Sequence, residues 1–92
     1  MKIIIQKSID ELNKVLPPKK KIKNKDSFLL VNKKSNLDSI DIVNLFVILE
    51  KYLKTEKNLT ISFDILLKDI DEFKTIGTLK SYLYKNFKND KR

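Results

Sequence analysis

The stretch Ser35-Asn36-Leu37-Asp38-Ser39-Ile40-Asp41-Ile42-Val43-Asn44-Leu45 decides how the rest of the chain is read. Asp38 is a good acceptor for a free backbone N–H in the first turn of a helix. Asp41, three residues on, stands where a side chain can return that bond. The apolar residues that follow recur at helical spacing. At about 100° per residue, Ile42, Leu45, Phe46, Leu49, Tyr52 and Leu53 share one arc of about 120°, which predicts a helix over 38–53 with that arc on the core. Ile40, Val43 and Val47 lie on the other side of the wheel, among Asp41, Asn44 and Lys51. Such a strip belongs either to a helix buried on two sides or to a face where another molecule docks.

Upstream, Ile5, Ile9, Leu12 and Leu16 fall at steps of four, three and four, the mark of an amphipathic helix. Pro17-Pro18 stops it, because proline lacks the N–H and clashes with the preceding turn. A polar connection of about twenty residues follows, long for so small a chain and of a kind that is often functional. It is interrupted by Phe28-Leu29-Leu30-Val31; with no partner strand in prospect, these are expected to be loop residues that plug the core. Downstream, Thr55 to Thr60 reads as a loop. Ile65, Leu66, Leu67 and Ile70 predict a short helix starting at Asp64, and a last helix is expected from Thr78 to Phe87, with Ile76, Leu79, Leu83 and Phe87 as its stripe. Gly77 precedes it, where a chain reversal or close packing needs a small residue. The expected fold is all-α, a small four-helix bundle of three longer helices and one short one with a long first loop, in a single domain over 1–92.

Composition limits the chemistry. The 92 residues carry a formal charge of +8 and contain neither Cys nor His. Disulfides, zinc–thiolate sites and a Cys nucleophile are excluded, and the commonest general base and metal ligand is missing. Carboxylates are present, but nothing in the sequence gathers two of them in a pocket, so a hydrolytic or metal-dependent enzyme is disfavoured. The charge is uneven. Residues 1–34 hold ten lysines against three acids, a balance of +7, whereas residues 38–72 balance at −4. The densest cluster is Lys19-Lys20-Lys21 with Lys23 and Lys25. A nucleic-acid site would want arginine forks and aromatics among the lysines, yet the one Arg is the last residue and no aromatic precedes Phe28. The cluster reads first as a solvated basic loop. No targeting segment or membrane-spanning run is visible, and the cytoplasm is the expected compartment.

The opening stretch resembles the Asp-Ser-Leu segment of acyl carrier proteins, here Asp38-Ser39-Ile40. Leu49-Glu50-Lys51-Tyr52-Leu53 looks like the end of that family's second helix. Phe73-Lys74-Thr75-Ile76-Gly77-Thr78-Leu79-Lys80-Ser81-Tyr82-Leu83 looks like its approach to the last helix. Helix count, loop order and length agree over nearly the whole chain. The resemblance implies a bundle of the acyl-carrier type and a covalent 4′-phosphopantetheine arm on Ser39, with Asp38 as its motif neighbour, which would make the chain a phosphoprotein. A serine there sits at the positive end of the helix dipole, where a phosphodiester is stabilised. The arm would also bring the thiol that a chain without Cys lacks.

On this reading the protein is a stand-alone carrier and not an enzyme, a monomer without nucleic-acid or membrane partners. It would serve fatty-acid synthesis or a specialised lipid or secondary-metabolite pathway. Its partners would be a phosphopantetheinyl transferase and the enzymes that load and transfer acyl or aminoacyl groups. By position they would dock on Asp38, Ile40, Asp41, Val43, Val47 and Glu50. Asn36 replaces a glycine common in the family, and asparagine is the next best residue for a left-handed bend. Asn44 and Lys51 stand where acids are common, so two negative charges are lost from the docking face and one positive charge gained. Two other readings compete. One is a basic helical module that binds nucleic acid or acidic partners through Lys19–Lys34; the other is a carrier-like fold that works unmodified as an adaptor.

Overall fold

The first helix, α1, spans Lys2–Asn13 in a computed structural model that describes residues 2–61 and 63–86. Ile4, Ile5, Ile9 and Leu12 are buried along it. Ser8 is buried among them, and its hydroxyl is satisfied by donating to the carbonyl of Ile4 at 2.8 Å. The helix ends at Asn13, four residues short of the stop expected at Pro17: the N–H groups of Lys14 and Val15 tighten onto the carbonyls of Glu11 and Leu12, and Leu16 is buried beyond the helix end.

The long helix α2 spans Ser39–Lys57. Its predicted core arc holds: Ile42, Leu45, Phe46, Leu49 and Leu53 are buried and Tyr52 is half-buried. Its end differs from expectation, since the helix runs past Thr55 to Lys57 instead of breaking into a loop. The stop is Asn58, which adopts the left-handed conformation at φ 53°. The N–H groups of Asn58 and Leu59 turn back onto the carbonyls of Lys54 and Leu53, which satisfies acceptors that the helix end leaves open. The apolar stripe ends at Leu53, so periodicity carries no signal for that last turn. The two helices run antiparallel, fixed by Lys7–Glu56 at 2.9 Å and Lys51–Glu11 at 2.8 Å.

The short helix α3, Phe63–Lys68, starts one residue before the expected Asp64 and buries Leu66. A 3-10 turn over Ile70–Glu72 follows. The last helix, α4, spans Ile76–Asn86 and begins two residues earlier than predicted. The reason is its cap. The Thr75 hydroxyl accepts from the N–H of Thr78 at 3.2 Å, and the Thr78 hydroxyl accepts from the N–H of Thr75 at 2.9 Å. Thr75 is therefore the capping residue and Thr78 lies a turn inside. Ile76, Leu79 and Leu83 are buried as expected, while Phe87 lies outside the described residues. Phe46 of α2 meets Phe73 edge-on at 5.3 Å, and Phe73 meets Tyr82 of α4 at 4.8 Å. The described residues form four α-helices and no strand, a small all-helical fold.

Residues 14–38 are held at several points. Asn13 accepts from the N–H of Ile22 at 2.7 Å and donates to its carbonyl at 2.8 Å, which seats Ile22 in the core. Leu30 plugs the core as predicted. The surrounding segment does find a partner: Leu29 forms an antiparallel bridge with Thr75. Leu30 and Val31 donate to the carbonyls of Lys74 and Phe73, and Phe28 accepts from Ile76. Gly77 donates to the carbonyl of Asp26 at 2.9 Å, and a Cβ on it would stand 3.0 Å from that same oxygen. Gly77 thus answers close packing and not a chain reversal.

Candidate functional site

The head of α2 is a completed capping box. The Asp38 carboxylate accepts from the N–H of Asp41 at 2.9 Å, and Asp41 accepts from the N–H of Asp38 at 3.1 Å. Ser39 is the first helical residue and is exposed. Its own N–H and that of Ile40 have no partner within the helix, because no preceding turn supplies a carbonyl. Asn36, before the box, does not make the left-handed bend expected of it; Asn58 is the only non-glycine residue with positive φ among those described. Its amide instead donates to the carbonyl of Lys19 at 3.0 Å, so the side chain and not the backbone twist anchors this approach.

Lys20, in a 3-10 turn at Pro18–Lys20, reaches the same head. Its ammonium lies 3.1 Å from Asp41 and 3.3 Å from Asp38. The N–H of Asp41, and after it the Lys20 ammonium, hold the Asp38 carboxyl below the usual carboxylate range. Asp41 and then Asp38 raise Lys20 in turn. Neither the triangle nor its charge balance was foreseen from sequence. Charge arithmetic separated a basic third from an acidic middle, but local spacing cannot say that residues 18 and 21 positions apart meet.

The residues assigned to docking separate on the surface. Ile40 is 68% exposed and Val47 50% exposed, Val43 and Glu50 are half-buried, and Asp38 keeps an exposed carboxylate. This strip is an outer face, which rules out a helix buried on two sides. Asp41 is not part of that face, for its side chain is turned inward and only 12% exposed.

Ser39 stands on the rim of an open groove of about 740 Å³ between the head of α2, the 30–34 segment and the turn after α3. Leu30, Val31, Leu37, Ile42 and Ile70 give it apolar walls; Lys33, Lys34, Lys74 and Asp71 supply charge. Across the 34–37 segment lies a second groove, about 510 Å³, edged by the lysines of the long connection. No group of three or more metal-ligating side chains occurs among the described residues, and none of their helices is long and apolar enough to cross a membrane. Compared with known protein families, curated proteins and solved structures, the chain finds no match.

Proposed function

We propose that the chain is a carrier protein of the acyl-carrier type, modified on Ser39 with 4′-phosphopantetheine. The observation that carries this reading is the position of Ser39: exposed, first in a fully capped helix, and on the rim of a groove. The residues present suit the group. A phosphodiester on the hydroxyl would meet the free amides and dipole of α2, with Lys33, Lys34 and Lys74 on the groove beside it. The apolar walls suit the body of the arm. When bound, the arm supplies a thiol on which an acyl or aminoacyl group travels as a thioester. The chain's own residues orient the attachment point and offer Ile40, Val43 and Val47 to the enzymes that load and unload it.

The test is direct. Incubating the unmodified protein with coenzyme A, Mg²⁺ and a promiscuous phosphopantetheinyl transferase is expected to add roughly 340 Da, the mass of the prosthetic arm, and Ser39→Ala is expected to abolish the gain. No increment, or one that survives Ser39→Ala, overturns the proposal.

A further inference from the structure

Lys19, Lys21, Lys23, Lys25 and Lys34 line the second groove together with Lys20. None of the first five enters a salt bridge among the described residues, whereas Lys20 is spent on Asp38 and Asp41. One of the two negative charges at the head of α2 is thus countered from within the chain. Lys34 also borders the Ser39 groove, with Lys33 and Lys74 beyond it. Against Asp71 and the one negative charge that Lys20 leaves over, these three lysines make the balance around Ser39 positive, the reverse of what the −4 balance of residues 38–72 implies. Ile40, next to Ser39 in α2, and Val47, about two turns further along it, are exposed apolar residues.

We propose that this surface docks a protein whose contact face is apolar at its centre and acidic at its rim. The inference rests on Ser39 as the carrier site and adds the charge of the partner to it. A nucleic acid would use the lysines and leave the strip in water, and the chain's single Arg, Arg92, offers little for base readout. A protein with an acidic rim uses both features, because charges at the edge steer the encounter while apolar area at the centre is buried.

The test titrates the isotope-labelled, unmodified chain with a helical peptide bearing Leu on one face and Glu on the other. A Lys-for-Glu peptide and a short DNA duplex are run in parallel. The Glu–Leu peptide is expected to shift the amides of Ile40, Val43, Val47 and Lys34. Its affinity should fall on the order of tenfold between low salt and about 0.3 M. The triple variant Lys23→Glu, Lys25→Glu, Lys34→Glu should lose a similar factor and gain the Lys–Leu peptide. No binding of the Glu–Leu peptide at low salt, equal binding of the Lys–Leu peptide, or tighter binding of DNA overturns the proposal. If the variant fails to fold, the wild-type comparison of peptides and salt decides alone. Since the titration uses unmodified protein, its failure is distinct from a missing mass increment at Ser39.

Discussion

The Lys20 ammonium sits 3.1 Å from the Asp41 carboxylate across 21 residues of chain, tying the basic connection to the head of the helix that presents Ser39. Asp41 is buried, and its carboxylate has that one cation and the amide of Asp38 as partners. Lys20→Met is therefore expected to destabilise the fold, and Asp41→Asn to lose less in the Lys20→Met background than alone. Urea denaturation of the two single variants and the double variant closes the cycle. Strict additivity would show that the contact contributes nothing.

Two carboxyls contribute to the acid limb of stability. Asp38 is held low by the Asp41 amide and Lys20, and Glu11 by Lys51 first and then the Tyr52 hydroxyl. A folded-state value below the unfolded one means that the folded protein binds fewer protons. The contribution is thus present above about pH 4 and lost as pH falls through the folded values. Urea midpoints should drop most steeply below about pH 4, and Asp38→Asn or Glu11→Gln should flatten the curve. Both groups face solvent, so added salt should also reduce the slope.

At the alkaline end the marker is Tyr82. Burial, followed by its hydrogen bond to Asp69, pushes the hydroxyl up to about 12. The neutral hydroxyl is favoured by the fold, so its contribution persists below about pH 10 and is lost as pH rises through the folded value. Ultraviolet titration should show a late phenolate component that Tyr82→Phe removes. Asp69→Asn should lower it only part of the way, because burial remains.

Gly77→Ala sets helix propensity against space. Alanine gains up to about 1 kcal/mol over glycine inside a helix. The added methyl would lie 3.0 Å from the Asp26 carbonyl oxygen and 3.1 Å from its Cβ, and that carbonyl is fixed by the N–H of Gly77 itself. Overpacking of this kind costs about 1–3 kcal/mol. The expected net result is a loss of about 1 kcal/mol in urea denaturation; a more stable variant would show that the 26–28 turn yields freely.

What the sequence disclosed is what local rules govern. The capping box of Asp38 and Asp41 and the core arc of α2 depend on residues within one or two turns of each other. The start of α4 lies two residues before the expected Thr78 because Thr75 caps it, and only the Thr75–Thr78 exchange of hydrogen bonds reveals that cap. The end of α2 was misplaced because Asn58 stops it by backbone handedness, without a change in apolar spacing. At the site, Ser39 and its exposed neighbours followed from the motif and the wheel. The inward turn of Asp41, the reach of Lys20 and the lysine-lined groove required the path of residues 14–38, whose hydrogen bonds to distant segments leave no periodic trace.

That path has a consequence for the order in which the protein matures. The amides and carbonyls of residues 26–31 find their partners in residues 73–77, which leave the ribosome well after Ser39. A nascent chain that has already formed α1 and α2 still lacks the segment against which one wall of the Ser39 groove is built. The platform is completed only once residues 73–77 have emerged, so an enzyme that reads the finished surface would pass over chains that still lack them.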